Sequence, residues 1–258
     1  MDAQTPTTGV RSDRFWDLYS YVYNGVYHLI PYRNLLWDAY EELDLRPGMR
    51  VLDAGCGTGN FEHFMAGKCP PPIVVDCIDG SPGMLRSARR RCRDLDYVHF
   101  SGANLNEQLP FDDATFDRVV SINVLYALDD QDHALREMLR VLKPSGRLVV
   151  SSPLPTYRVT PMIAEHFRRI RNVWGLGRRI ARVAESVWVL GTNGIAQWLL
   201  NNLVIDARET EGRYRSLDEW ALAGLLRRRS ADGLGDFEIR LASAGQNVFA
   251  TVSKTVAA

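Results

Sequence analysis

The sequence predicts one α/β domain with a doubly wound, Rossmann-like sheet of seven strands, and three observations support this fold class. Short apolar runs alternate with amphipathic helical segments from about residue 48 to 152, as in a parallel sheet covered by helices. A glycine-rich turn directly follows the first of these runs. The chain has 258 residues, of which 46% are hydrophobic, so it can bury one large core.

The alternating pattern places the core elements in order along the chain. The predicted strands cover residues 50–54, 73–78, 97–101, 117–122 and 146–151. The predicted helices cover residues 59–66, 81–92 and 131–142.

Turn and capping residues predict where several elements begin and end. Pro144 cannot continue the helix before it, and we expect Gly146 to turn the chain into the next strand. Residues 216–219 have the spacing of a capping box, which predicts a helix start there. The runs 237–241 and 248–253 predict an antiparallel hairpin at the end of the sheet.

The rest of the chain divides around this core. Residues 1–12 are polar and lack an apolar run, so we expect a disordered tail without a secretory signal. Residues 13–258 are predicted to form a single domain. Within it, we expect N-terminal covering helices over residues 13–45, the covering segment, and a helical lid insertion over residues 155–215, the lid.

Composition excludes several classes of function. The 31 basic residues balance the 31 acidic ones, so nothing global predicts binding to nucleic acid. The cysteines at 56, 69, 77 and 92 lack the spacing of metal ligands, which predicts reduced thiols, a cytoplasmic location and no bound metal. No stretch is apolar enough for a convincing membrane span.

The glycine-rich turn predicts a nucleotide-type cofactor site at a strand end. The first strand ends in Asp53, and glycines follow at 55, 57 and 59, a run we call the glycine loop. A dinucleotide fingerprint needs its third glycine one residue later, where this chain has Asn60, and this argues against a nicotinamide dehydrogenase. A carboxylate at Asp53 suits a ligand with a zwitterionic amino-acid tail and a sulfonium better than it suits a pyrophosphate.

A second acid completes this pattern. The next apolar run ends in Asp79, about 24 residues beyond the first glycine, and a carboxylate there can accept two hydrogen bonds from a ribose diol. The two strand ends together indicate a nucleotide-type ligand that carries a ribose and an amino-acid tail.

These motifs resemble those of the class I methyltransferases that use S-adenosylmethionine, especially their small-molecule and quinone-lipid branches. The similar stretches are VLDAGCGTGNF, VDCIDGSPGML, ANLNEQLPFDDATFDRVVSINVLYAL and LREMLRVLKPSGRLVVSSP, in this order. The resemblance covers residues 48–152 and implies S-adenosylmethionine as cofactor, S-adenosylhomocysteine as product and a methyltransferase activity.

The resemblance also implies which residues contact the cofactor. Asp53 would reach its amino group, Asp79 its ribose and Met84 its adenine. At 104 the chain departs from the common pattern, because an asparagine replaces an aspartate that accepts from the adenine amino group. The cofactor residues implied in this way are Tyr19, Tyr23, Asp53, Gly55, Cys56, Gly57, Asp79, Gly80, Ser81, Met84, Asn104, Leu105 and Asn123.

The acceptor side is less defined. Tyr126 stands where related sequences often have histidine, and the covering segment and the lid add further aromatic candidates. The predicted substrate residues are Tyr27, Tyr126, Trp174 and Trp188. His28 and His166 lie in the two covering regions and are the candidate general bases, whereas the histidines at 63, 99 and 133 fall on scaffold elements.

We expect a small apolar or aromatic acceptor, such as a quinone or natural-product ring, methylated on oxygen first and on carbon or nitrogen next. Two alternatives remain open. The lid has many arginines and tryptophans, which also suits peripheral membrane contact and a phospholipid amine methyltransferase. A catalytically silent partner protein that binds the cofactor is the second alternative, and the oligomeric state is not predicted.

Overall fold

A seven-stranded mixed sheet forms the centre of the computed structural model, which describes residues 14–21, 23–68, 70–172, 175–189, 191, 214–229 and 233–255. The strands are β1 Arg50–Ala54, β2 Val74–Asp79, β3 Val98–Gly102, β4 Phe116–Ile122, β5 Leu142–Pro153, β6 Leu234–Ala242 and β7 Asn247–Lys254. Their order is 3-2-1-4-5-7-6. Only β7 runs against its neighbours, so the predicted Rossmann-like fold with a terminal antiparallel hairpin is confirmed.

Helices cover both faces of this sheet. They are α1 Arg14–Tyr19, α2 Ile30–Glu42, α3 Asn60–Ala66, α4 Pro82–Arg91, α5 Gln131–Val141, α6 Val159–Arg171, α7 Leu176–Val189 and α8 Glu219–Arg228. Short 3-10 helices span Tyr23–His28 and Leu125–Ala127. The core on one face takes apolar residues from α5 and α8, and the core on the other takes them from α2, α3 and α6.

Strand β1 lies where the chain reverses its direction of winding. Asp53 is in register with Cys77 of β2 on one side and with Val120 of β4 on the other. The connections after β1 and β4 therefore leave the sheet in opposite directions, which opens a crevice at their carboxyl ends. All the acidic and glycine motifs predicted for the cofactor converge on this crevice.

The prediction that the chain turns at Gly146 before the fifth strand begins is wrong, because that strand begins earlier. Strand β5 begins at Leu142, directly after α5, and its register against β4 shifts between Phe116 and Arg118. The irregularity is a bulge in the strand, and Ser145 takes the left-handed conformation with φ 62°. Gly146 is needed for space, because a Cβ there would lie 2.6 Å from the Leu142 side chain.

The helix predicted to start at the capping box has its N-cap two residues beyond Ser216, the first residue of that box. The N-cap of α8 is Asp218, whose carboxylate accepts from the Ala221 N–H at 2.7 Å. The preceding residues stay extended because Arg215 is held at both backbone groups. Its N–H donates to the Tyr126 carbonyl at 2.8 Å, and its carbonyl accepts from the Gln131 side chain at 2.6 Å.

Parts of the sequence predictions fall outside the described residues. These are the tail at 1–12, Cys69, Trp174, the Trp188 side chain and most of the lid beyond residue 189. In the described ranges, helices with both the length and the apolar character of a membrane crossing are absent.

Candidate active site

A cavity of about 360 Å³ opens at the carboxyl ends of β1, β2 and β4. Every predicted cofactor residue except Tyr19 lines it, from Tyr23 in the covering segment to Asn123 after β4. The lining residues that sequence reasoning did not assign to the site include Trp16, Tyr32, Asn60, Asn106, Val124, Asp129 and Tyr214.

The glycine loop forms the floor of this cavity in a conformation that side chains disfavour. Gly55 has φ 92° and Gly57 has φ 55°. The N–H groups of Gly55 and Cys56 donate to the Ile78 carbonyl at 2.8 and 3.0 Å, which fixes the loop against β2. A Cβ on Gly55 would lie 2.4 Å from Val124 Cγ2, so the loop also packs against the residue after β4.

Asp79 joins the glycine loop to the start of α4. Its Oδ2 accepts from the Gly57 N–H at 2.9 Å, and its Oδ1 accepts from the Ser81 N–H at 2.7 Å. Burial raises the pKa of Asp79 to about 6, although these two N–H groups act in the opposite direction. Each carboxylate oxygen keeps a further lone pair, so both can still accept from the hydroxyls of a ribose.

Asp53 shares its environment with a second buried carboxyl group. Burial raises the pKa of Asp53 well above its ordinary value, and the neighbouring carboxyl of Glu62 raises it further. Glu62 is fully buried, and its Oε1 accepts from the Cys77 thiol at 3.2 Å. A cationic group placed beside Asp53 would restore its ionised form, as an amino group of a ligand would do. Glu62 lies on α3 behind the loop, and its spacing offers no sequence signal.

Asn60 carries hydrogen-bonding capacity that the described residues leave unused. Its side chain lines the cavity and is 3% exposed, and neither Nδ2 nor Oδ1 makes a hydrogen bond of good geometry in the described part of the chain, although the amide lies close enough to the Tyr32 hydroxyl to lower the pKa of that group. Buried amides are nearly always paired, so this pair of atoms fits a polar ligand group in the cavity. The available sequence signal was the asparagine that replaces the third fingerprint glycine.

Two tyrosines of the covering segment face the same cavity. Burial raises the pKa of Tyr23 well above its ordinary value and that of Tyr32 to about 12, so both phenols are neutral hydrogen-bond donors. Asn24 next to Tyr23 accepts from the Thr58 hydroxyl at 2.6 Å, which joins the covering segment to the glycine loop. Burial also raises the pKa of Cys56 to about 12, so it stays a thiol.

The asparagines at two strand ends are already engaged within the protein. Asn104 donates to Glu107 at 2.8 Å and accepts from the Asn106 N–H at 3.1 Å. Asn123 has φ 59°, and its Oδ1 accepts from Asn247 at 2.6 Å. Both line the cavity, but these contacts show that each also holds local backbone in place.

Aromatic side chains surround another part of the cavity. The Trp16 ring lies 6.1 Å from the Tyr214 ring and 6.4 Å from the Tyr126 ring, measured between centroids. Tyr126, a predicted substrate residue, is buried outside the cavity lining, with its ring centroid 5.6 Å from that of Tyr214. Tyr19 stacks on Phe15 at 5.3 Å instead of lining the cavity. Tyr27 also lies outside the lining, with its ring 4.7 Å from the Arg91 guanidinium carbon.

The structure does not bring either candidate base to the cavity. His166 is 4% exposed, and its Nδ1 accepts from the Ile30 N–H at 3.1 Å. Its Nε2 lies 2.9 Å from the Ser186 hydroxyl, which itself donates to the Arg182 carbonyl. His166 therefore joins α6, α7 and α2 as a structural residue. His28 is exposed on the 3-10 helix and is not part of the lining.

Comparison with known proteins agrees with this geometry. A methyltransferase domain family matches residues 45–202. A ubiquinone/menaquinone biosynthesis C-methyltransferase, UbiE of Pasteurella multocida, is 32% identical over 69% of this chain and 69% of its own length. The methyltransferase GfsG of Streptomyces halstedii is 38% identical over 43% of this chain and 40% of its own.

Solved structures show the same fold. A SAM-dependent methyltransferase from Aquifex aeolicus superposes with a TM-score of 0.55 at 16% identity, over 90% of this chain and 93% of its own. The chain spans less than half the length of several of the curated relatives that it matches. The matched domain covers more than half of this chain, so the chain belongs to the class I, S-adenosylmethionine-dependent methyltransferase family.

Proposed function

We propose that this enzyme methylates a ring carbon of a small, electron-rich aromatic acceptor of the quinone type. One observation carries the proposal: among the described residues, the cavity lining includes aromatic rings and carboxylates but lacks histidine, lysine and arginine. An acceptor hydroxyl would need a base close to it as it attacks the methyl group. A ring carbon activated by the acceptor's own hydroxyl can attack the methyl group first, and the ring C–H bond then breaks and releases its proton to water or to a carboxylate of the lining.

The residues of the crevice would hold the cofactor at several points. Asp79 would accept from the ribose, and Asp53 would face the amino group. Asn60, with both amide atoms unpaired in the described chain, would bind the polar tail. When bound, S-adenosylmethionine supplies an electrophilic methyl group and leaves as S-adenosylhomocysteine.

The side chains of Trp16 and Tyr214, which we call the aromatic wall, would position the acceptor. Trp16 and Tyr214 come from opposite ends of the chain and meet over the cavity. A planar ring packed against them would be oriented toward the methyl group in a site that excludes water. Orientation of this kind supplies much of the rate in an in-line methyl transfer.

The positions of the candidate bases support carbon as the target atom. The sequence places oxygen before carbon and offers His28 and His166 as candidate bases for a hydroxyl acceptor. Their positions outside the cavity weaken that ranking and favour carbon. The similarity to a protein named a C-methyltransferase supports the same choice.

A methyl-labelled cofactor and an acceptor panel would test the proposal. The panel contains a hydroquinone, a naphthol, a catechol, an aromatic amine and vesicles of phosphatidylethanolamine, and NMR locates the transferred methyl group. We expect the label on a ring carbon. Label found only on oxygen, on the amine or on the lipid would overturn the proposal, and label on the lipid would favour the membrane alternative.

A pair of tryptophan variants tests the aromatic wall. Trp16→Ala should raise the KM for the acceptor by about tenfold, the loss expected when a buried aromatic contact is removed. Trp220→Ala is the matched control, because this tryptophan is 81% exposed and lies on α8. Equal effects of the two substitutions would contradict the assignment of Trp16 to the acceptor site.

A further inference from the structure

One carboxylate joins the covering segment to the start of α4. The Ser81 hydroxyl and the Gly83 N–H both donate to Oδ1 of Asp17, each at 2.7 Å. Ser81 is the N-cap of α4, and its hydroxyl accepts from the Met84 N–H at 3.1 Å. Asp17 therefore satisfies a free N–H in the first turn of α4, where the helix dipole favours a negative charge.

The two elements approach so closely that position 83 has no room for a side chain. A Cβ on Gly83 would lie 2.7 Å from both Cα and Oδ1 of Asp17. Around this contact, Phe15 and Tyr19 of α1 pack with Met84 of α4 in a small apolar cluster. The contact thus combines hydrogen bonds, a close backbone approach and apolar packing.

The same turn holds the acid expected at the ribose. Ser81 donates its hydroxyl to Asp17 and its N–H to Asp79 Oδ1, so one residue links the two carboxylates. Trp16, adjacent to Asp17, lines the cavity and contacts Tyr126 and Tyr214. Displacement of Asp17 would therefore shift both Asp79, the acid expected at the ribose, and Trp16 in the aromatic wall.

We propose that Asp17 is a positioning residue that couples α1 to the cofactor site. By accepting from Ser81 and Gly83 it holds α1 over the cavity and places Trp16 against the acceptor side. Exchange of the product S-adenosylhomocysteine requires this contact to open. The part that concerns Trp16 rests on the proposed acceptor site, whereas the part that concerns the cofactor does not.

Two substitutions break the contact from opposite sides. Asp17→Ala removes the acceptor, and Gly83→Ala forces α1 away from α4. Asp17→Asn retains an Oδ1 acceptor without the charge and serves as the conservative variant. Asp94→Asn, at an exposed acid, and Gly224→Ala, at a helical glycine where an added Cβ would lie 3.9 Å from its nearest atom, are the matched controls.

The first measurement is the dissociation rate of S-adenosylhomocysteine by stopped flow, with no acceptor present. We expect dissociation about tenfold faster in Asp17→Ala and Gly83→Ala, since loss of a helix cap and its packing costs on this order. Asp17→Asn should fall between these variants and the unmodified protein, and both controls should match the unmodified protein.

The second measurement is amide hydrogen exchange of residues 14–21, with and without S-adenosylhomocysteine. Both disruptive variants should exchange faster in this segment and lose the protection given by the ligand, while the strands keep theirs. Unchanged dissociation rates and unchanged exchange in Asp17→Ala and Gly83→Ala would overturn the proposal, as would an equal effect of Gly224→Ala. Failure of the acceptor panel would leave these ligand measurements intact, so the two proposals fail separately.

Discussion

The carboxylate of Asp79 accepts a hydrogen bond from the Gly57 N–H at 2.9 Å, across two strand ends that the chain separates by 22 residues. This contact ties the shape of the glycine loop to the charge of the acid that follows β2. A change in the protonation of Asp79 should therefore change both ribose recognition and the loop that forms the cavity floor.

Cofactor affinity should depend on pH through Asp79. Its pKa of about 6 means that the carboxylate loses its charge as the pH falls through that value. Because the charged form is the better acceptor, the affinity for S-adenosylhomocysteine should fall between about pH 8 and about pH 5. Calorimetry across this range measures it, and an affinity independent of pH would contradict the role given to Asp79.

The contribution of Asp79 to the stability of the cofactor-free protein should have the opposite pH dependence. The folded-state pKa of Asp79 lies above its ordinary value of 3.8, so the folded state binds the proton more tightly than the unfolded chain. Its contribution is fully present below the unfolded pKa and is lost as the pH rises through about 6. Thermal unfolding of the unmodified protein and of Asp79→Asn isolates this contribution, which should vanish in the variant.

Asn60→Leu should separate stability from binding. The substitution removes two buried polar atoms that lack partners in the described chain, so the cofactor-free protein should gain about 1 kcal/mol of unfolding free energy. The same variant should bind S-adenosylhomocysteine about tenfold more weakly. Urea unfolding and calorimetry measure the two effects. A variant less stable without ligand would show that Asn60 is satisfied within the protein.

Substitutions in the glycine loop should differ in severity. Gly55→Ala places a methyl group 2.4 Å from Val124 Cγ2 at a φ of 92°, so we expect a large loss of stability and no measurable cofactor binding. The Cβ added by Gly57→Ala would lie 3.9 Å from its nearest atom, in the Tyr23 side chain. This variant should lose only about 1 kcal/mol of unfolding free energy, because alanine is strained in the left-handed backbone conformation. Adding Val124→Ala to Gly55→Ala should recover part of the lost melting temperature.

A buried ion pair distant from the cofactor tests stability alone. Glu137 accepts from the Leu109 N–H at 2.8 Å and pairs with Arg140 at 2.8 Å. Glu137→Gln should cost about 2 kcal/mol without changing cofactor affinity, because Arg140 loses a charged partner but keeps its ion pair with Asp113 at 2.7 Å. Glu165→Gln is the control, since its pairs with Arg168 and Arg169 are exposed and should leave the melting temperature unchanged.

The pH dependence of Glu137 has the sign opposite to that of Asp79. Burial raises the pKa of Glu137, but hydrogen bonds from Arg140 and Leu109 outweigh it and hold the pKa below the ordinary 4.5. Its contribution is present above that unfolded value and is lost as the pH falls through the lower folded pKa. Acid unfolding of the unmodified protein should be steeper than that of Glu137→Gln.

The sequence alone determined the fold, the cofactor and the residues at the strand ends. Asp53, the glycine loop and Asp79 could be placed together because parallel strands deliver their carboxyl ends to one edge, whatever lies between them. Each of these residues is next to a strand or a turn that local spacing identifies, so no distant contact had to be known.

Only the tertiary structure decided the surroundings of that site. Burial left Asn60 and Glu62 beside the cofactor residues, and packing of segments about 200 residues apart brought Trp16 to Tyr214. His166, which sequence position made a candidate base, is bound to a backbone N–H 136 residues away. Side-chain direction and long-range contacts produce no periodic residue pattern that could be recognised in a sequence. They depend on how whole helices and strands pack after their local structure has formed.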